Sequence, residues 1–471
     1  MKHLKILAVM VTTAVITTGC ASIEPKPGFN KISEQVSQRI GKKIHWKQNG
    51  AEDKAVEASV RKMLQNDLTV EEAVQIALLT NPRLQATYED LGMAQADVVQ
   101  AGLLRNPVFG ITYGKTRAEN ITNYEFEIAW DFLGVLTLPL RQKAAENAFE
   151  GTKLRVTAEV MNLAGEVSRA FYEAQANQQL VRMMEQVVEG TEAGLFASQR
   201  LRAAGNITEL ALDKQSTLHY ESRLMLSSAQ STMMTSREHL NVLMGLWGTA
   251  TRWNIDARLP DIPEQVLDLK NIESKAIKSN LQLAIIKHEI RQAAQRAGLA
   301  DATSLINDLE IGFSTERDDG EFEDSLSLEF NLPIFDFGQA RQARAQAAFQ
   351  QLRARYVEQA IMVRSSARNI SSQIKIARER ERYVREVLLP LSERITNATL
   401  LEYNGMQLGV FDLLRVQQKQ IVAGRTYIEA LRDYWLARTN AGQVEKGGMA
   451  DGGMMMTSGA MSMSGGSEGG H

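Results

Sequence analysis

No proline occurs between Pro139 and Pro260, and part of that span carries apolar and small residues in a four-three rhythm. Val156, Leu163 and Ala170 stand seven apart, with Val160, Val167 and Ala174 between them. A later stretch repeats the pattern with Tyr356, Val363, Ile370, Ala377, Val384 and Leu391. Leu413, Val416, Gln420, Ala423, Tyr427, Ala430, Tyr434 and Ala437 continue it at three-four steps. A heptad held this long is a coiled-coil seam, whereas a globular helix shows a broader apolar stripe. A helix from Arg141 to Ala204 is roughly 95 Å long at about 1.5 Å per residue. A compact domain of this mass cannot hold such a rod, so the rods must project as a stalk or tube. Pro390 lies inside the second rod and is expected to kink it.

The rods belong to a duplicated unit. Arg141-Gln142-Lys143-Ala144-Ala145 and Phe149 match Arg341-Gln342-Ala343-Arg344-Ala345 and Phe349, 200 residues later. Ala77, Asn81 and Leu84 match Ala276, Asn280 and Leu283, and Gly205 matches Gly405. Self-similarity at a fixed offset reads as two copies of one architectural unit. The first copy covers 68–259 and the second 260–440. Each runs helix, β-hairpin (about 106–133 and 305–334), long helix (about 141–204 and 341–404) and return helix (about 206–247 and 408–440). Gly205 and Gly405 are placed at the turns, where a left-handed residue ends a helix.

The hairpins alternate with period two. Tyr124, Phe126, Ile128, Trp130 and Phe132 interleave with Glu125, Glu127, Ala129 and Asp131; Leu326, Leu328, Phe330 and Leu332 interleave with Ser325, Ser327, Glu329 and Asn331. Phe109, Ile111 and Tyr113, and Leu309, Ile311 and Phe313, mark the partner strands. One such strand is ordinarily a half-buried strand of a soluble sheet. Two hairpins at matching places in a duplicated unit, beside helices too long for a globule, point instead to a transmembrane barrel, apolar outside and polar within. Four strands cannot close a barrel, so the chain must oligomerise; symmetry alone does not choose three copies over two or four. On this phase Glu125, Glu127, Glu310 and Glu329 face the lumen, either as rings that favour cations or simply to keep it wet.

The ends differ in kind. Lys2 and Lys5 precede an apolar run from Ile6 to Ile16, too short to span a bilayer, and then Gly19-Cys20. Residues 1–19 read as a lipoprotein signal, with Cys20, the sole cysteine, as the lipidated first residue of the mature chain and Ala21 resembling the outer-membrane class. The alternative is an ordinary signal peptide with a chance cysteine. An N-terminal mature segment, 20–67, precedes the first copy. The 441–471 tail is rich in Gly, Ser and Met and is expected to be disordered. Met449, Met454, Met455, Met456, Met461, Met463 and His471 offer soft ligands for transient Cu(I) or Ag(I), or else form an unselected flexible tail.

The charge is nearly balanced, 53 Lys+Arg against 56 Asp+Glu, and gives no reason to expect nucleic acid. No phosphate loop and no His-Glu-x-x-His occurs, and His45, His219, His239 and His288 are scattered. No enzyme is indicated and no resident cofactor beyond lipid on Cys20.

The order of motifs resembles the outer-membrane efflux protein family, the TolC family, up to about residue 440. Leu68-Thr69-Val70-Glu71-Glu72-Ala73-Val74 with Asn81-Pro82 resembles its opening helix, and Leu103-Leu104-Arg105-Asn106-Pro107 its entry to the first strand. Leu136-Thr137-Leu138-Pro139-Leu140-Arg141 and Pro333-Ile334-Phe335-Asp336-Phe337-Gly338 resemble the strand exits; Tyr403, Gly405, Asp412 and Leu413-Leu414 resemble the periplasmic tip. The resemblance implies a mostly α chain with a small β part, assembled as a homotrimer with a 12-stranded transmembrane β-barrel on a long periplasmic α-helical barrel. It implies an outer-membrane protein of a Gram-negative bacterium, anchored by lipid, that docks to a periplasmic adaptor and an inner-membrane pump as their passive exit duct. In the family, acidic residues after the tip turn constrict the closed pore. Asp412 matches the first of them, but Arg415 stands where a second acid is common, so a salt bridge between the two is the alternative. Glu209 and Asp213 are the counterparts offered by the other copy. Gly409 to Leu414 and Tyr427 to Trp435 resemble a copper-resistance branch, which makes copper or silver a candidate cargo. Multidrug or polypeptide export, and a non-conducting coiled-coil envelope lipoprotein, are the competing readings.

Overall fold

The computed structural model describes residues 24–116, 121–265, 267, 269–302, 309–318, 321–331 and 334–448. The signal segment, Cys20 and the methionines and His471 of the tail lie outside the described residues. The elements are α1 (Phe29–Ile40), α2 (Ala51–Met63), α3 (Val70–Thr80), α4 (Pro82–Gly102), β1 (Val108–Thr116), β2 (Ile121–Asp131), α5 (Phe132–Ala203) and α6 (Glu209–Met244). The second copy gives α7 (Ile272–Ser279), α8 (Leu281–Ala302), β3 (Leu309–Asp318), β4 (Glu321–Phe330), α9 (Gln339–Tyr383), a π-helical segment (Val384–Leu388), α10 (Leu389–Asn404) and α11 (Val410–Glu445). Among the described residues no helix is long and apolar enough to cross a membrane.

The chain forms two compact units. One comprises Met1–Ile32, Thr87–Val156 and Gln282–Gln359; the other comprises Ser33–Ala86, Thr157–Leu281 and Ala360–His471, each over its described residues. The first unit holds a single antiparallel sheet in the order β1-β2-β3-β4. Both hairpins therefore lie side by side, with β1 and β4 as its edges.

Helix α5 begins at Phe132, earlier than the expected start near residue 141, and carries Pro139 inside it. The reason is a cap. The Asp131 carboxylate accepts from the Gly134 backbone N–H at 2.8 Å, satisfying a first-turn donor at the end of β2. The seam then follows the heptad reading: Val156, Val160, Leu163, Val167, Ala170 and Ala174 are all buried.

In the second unit each short helix is locked to the end of a return helix. A reciprocal capping box starts α3: Thr69 Oγ1 accepts from the Glu72 N–H, and the Glu72 carboxylate accepts from the Thr69 N–H. At its other end the Asn81 amide donates to the Leu243 carbonyl at 2.8 Å, and Thr80 Oγ1 donates to the Met244 carbonyl at 2.6 Å. The chain leaves α6 through Gly245 at φ +66°, pressed against the Thr80 carbonyl. The second copy repeats this. Gly447, at φ +90°, abuts the Ser279 carbonyl, and the Leu281 N–H donates to the Gly447 carbonyl at 3.1 Å.

The two rods are not equivalent. The first runs unbroken to Ala203, whereas the second carries the π segment just before Pro390. Proline has no N–H for the carbonyl four residues earlier, and a π turn rearranges that part of the ladder by accommodating one extra residue. The copies register that insertion. Ahead of it, Arg141 pairs with Arg341 at an offset of 200. After it, α6 and α11 both span 36 residues and start 201 apart.

Two expectations are corrected by this shift. Gly205 is left-handed at φ +74°, but Gly405 is not, at φ −79°; Met406 takes the left-handed position at φ +58°. The Gln407 N–H closes that turn on the Glu402 carbonyl, as the Asn206 N–H closes the first on Leu201. The predicted seam position Leu391 is exposed, while Thr399, one step beyond the heptad position at 398, is buried.

Candidate functional site

Two places carry the charged residues that the sequence singles out. The first is the sheet. Its register sets Phe109, Ile128, Phe313 and Leu326 in one row across all four strands, and Trp130, Ile311 and Leu328 in the next. These side chains are exposed, Phe109 at 60% and Leu326 at 79%. Residues directly opposite in a sheet share a face, so this is one continuous apolar face that nothing among the described residues covers.

The other face is acidic. Glu310 lies opposite Glu329 and Asp131, and Glu127 is flanked by Gly110 and Ser314. Glu125 lies opposite Glu316, which lies opposite Glu323. The sequence reading named Glu125, Glu127, Glu310 and Glu329 but passed over Glu316, Glu323 and Asp131. All three sit on the polar phase of their strands, so alternation alone would have found them. Like charges directly opposite one another destabilise a dry sheet and are tolerable where water screens them. Asp131 is set apart, since it caps α5 and pairs with Arg105 at 3.4 Å.

The second place is where the rods turn back, in the other unit. Asp412 sits in the first turn of α11, where the positive end of the helix dipole suits a carboxylate. Arg415 Nη1 approaches Asp412 Oδ1 at 4.0 Å, both side chains being largely exposed. Such a pair stabilises a helix by only a few tenths of a kcal/mol, about 0.2–0.5. In the first copy Glu209 accepts from Arg202 Nε at 2.8 Å, so its charge is partnered. Allowing for the inserted residue, Asp412 corresponds to Ala211 and Arg415 to Lys214, so neither Glu209 nor Asp213 is the counterpart of Asp412. Lys214 Nζ lies over the Phe411 ring at 3.7 Å, joining the starts of α6 and α11. Lys214, Phe411 and Arg202 were not anticipated. The Arg415–Lys214 correspondence is hidden until the offset is corrected.

Residues 73–246 match the family model described as Outer membrane efflux protein. The cobalt-zinc-cadmium resistance protein CzcC of Cupriavidus metallidurans is 22% identical over 390 residues, covering 80% of this chain and 90% of that protein. Over residues 73–246 the chain is similar to the outer membrane efflux proteins. Its fold agrees with solved structures. A membrane protein from Pseudomonas aeruginosa aligns with TM-score 0.70 at 17% identity, over 82% of this chain and 92% of that one. CusC, whose crystal structures concern transmembrane channel formation, aligns with TM-score 0.68 at 12% identity, over 81% and 92%. The family and the structural neighbours are channel proteins, not enzymes. The mostly helical chain with one small sheet is the architecture of this family's solved channels.

Proposed function

We propose that three copies close their sheets into a 12-stranded barrel, and that this barrel and its helical continuation form a passive exit duct for metal ions. The observation that carries the reading is the four-stranded sheet, apolar and uncovered on one face, acidic on the other, with unpaired edges at β1 and β4. In lipid an open edge is not tolerated, so β1 of one copy must pair with β4 of the next. The strand directions alternate, which makes that pairing antiparallel. Fatty acyl chains on Cys20 would hold the assembly at the outer membrane. A periplasmic adaptor and an inner-membrane pump would deliver cargo and supply the energy.

Each acidic row, multiplied by the copies, becomes a ring that concentrates cations and slows anions. The metal assignment rests on this and on the likeness to CzcC. The thioethers of the tail favour Cu(I) and Ag(I) over harder ions. A strain lacking the protein is expected to lose resistance to metal salts and to keep its resistance to organic drugs. Restoring the chain without residues 449–471 should leave copper and silver resistance specifically impaired. Sensitivity confined to drugs would overturn the cargo, and full rescue by the truncated chain would remove the tail's role.

At the tip, Asp412 and Arg415 are proposed to narrow the closed pore. Asp412→Ala in the reconstituted assembly is expected to raise single-channel conductance at low salt, with a smaller effect at 1 M, where screening is nearly complete. Unchanged current at both salt concentrations would reject the gate.

A further inference from the structure

The π segment of the second rod adjoins a buried ionisable group. Glu381, one turn before it, is 2% exposed. Its Oε1 lies 3.3 Å from Arg385 Nε, and Arg385 is itself a π residue whose Nη2 also reaches Glu386 at 3.3 Å. Charged and titratable neighbours converge on Glu381 from three directions. Arg378, Arg385 and Glu386 come from its own rod, Asp261 from the strap between the two repeats, and Tyr427 from α11. The strap is tied down around this point. Arg378 donates to the Glu264 carbonyl at 2.7 Å, and Trp435 Nε1 donates to the Pro260 carbonyl at 2.8 Å. From the segment's end onward the rod is less enclosed, with Val387 inside it and Leu391 and Ile395 beyond it exposed.

An isolated π turn beside a proline is a weak point in a helix, because the local hydrogen-bond ladder is irregular and one carbonyl has lost its donor. The first rod has no π segment. We propose that Val384–Leu388 is a hinge on which the tip hairpin of α10 and α11 bends, and that the charge on Glu381 sets its position. Burying a carboxylate costs free energy unless its partners offset that cost. Here they do not offset it fully. Burial, with Asp261 and Glu386 adding to it, holds Glu381 above the ordinary carboxylate range against the opposing pull of Arg385 and Arg378. A carboxyl whose pKa is raised in one conformation stabilises that conformation when protonated. Acidification through a window above the ordinary carboxylate range therefore stabilises the setting in which Glu381 is buried. The ionised form at neutral pH favours bending that brings Glu381 to water.

The test uses the full chain reconstituted in lipid, with nitroxides at the exposed positions Ile376 and Leu401, on either side of the hinge. Two distance populations are expected at neutral pH, and only the longer one in acid. Glu381→Gln, which carries no charge at any pH, should show only the longer distance throughout, and its conductance should lose the acid-sensitive component of the native assembly. Deleting Val387 together with Pro390→Ala removes the inserted residue and should abolish the shorter distance. A native chain with one distance at all pH values would overturn the proposal. So would Glu381→Gln with the native pH response, or the deletion retaining both distances. The motion serves gating only if the duct reading holds. Absent conductance in every sample would sink the duct while the distances still decided the hinge.

Discussion

Phe313→Arg is expected to abolish assembly in the membrane, while Ser314→Arg, one residue along the same strand, leaves it intact. Phe313 stands mid-strand in the apolar row with Phe109, Ile128 and Leu326. An arginine on the lipid face of a barrel costs about 2–4 kcal/mol near the bilayer midplane, and the proposed assembly incurs that cost once per copy. The sum approaches the whole stability of a folded domain, about 5–15 kcal/mol. Ser314 points the other way, where its hydroxyl meets that of Ser325 at 2.8 Å. An arginine there adds a cation to a wet, acidic face and loses only that bond. Heat-modifiable oligomer on unheated gels and recovery in the outer-membrane fraction distinguish the two. If Phe313→Arg assembled like the native chain and Ser314→Arg failed, the assignment of the two faces would be reversed.

The second large effect lies at the joints between short and return helices. Gly245→Ala and Gly447→Ala should each destabilise the protein by about 2–5 kcal/mol. A left-handed conformation costs an L-residue about 1–2 kcal/mol, and forcing atoms into a filled space adds about 1–3. The obstacle at both joints is backbone. A Cβ on Gly245 would stand 2.8 Å from the Thr80 carbonyl oxygen, and one on Gly447 would stand 2.0 Å from that of Ser279. Neither carbonyl can swing aside without breaking the joint, because Thr80 and Asn81 are bonded to the end of α6 and Arg39 bridges the Ser279 and Lys446 carbonyls. Gly190→Ala is the contrast. It lies within α5 with open space around it, and alanine there should stabilise the helix by roughly 0.5–1 kcal/mol. Thermal scans at one fixed rate compare the three, since unfolding of such an assembly is expected to be irreversible. Equal midpoints for Gly245→Ala and the native chain would show that the joint yields.

The elements whose period is long and regular were legible from residues alone. The strand faces followed from alternation at Phe126, Ile128 and Trp130, and the seam from Val156 through Ala174. Gly205 was legible because its rod runs unbroken up to the turn. Gly405 was not, since one residue added inside a helix shifts everything after it without disturbing any motif. That single insertion moved the left-handed position to Met406, the seam position from 398 to Thr399, and the partner of Arg415 to Lys214. The early start of α5 was hidden because Asp131 reads as the last polar residue of a strand, while its carboxylate acts three residues on.

Local order along the chain decided the two periodicities, the duplication and hence the kinds of surface this protein owns. These depend on near neighbours, and a strand or helix presents its faces wherever it is placed. The three-dimensional arrangement alone decided that Glu125, Glu316 and Glu323 share a row, that Glu381 is out of water beside a π turn, and that Gly245 and Gly447 close matching joints. Those facts rest on register and contact between residues far apart in the chain, and a shift of one position anywhere between them changes the outcome.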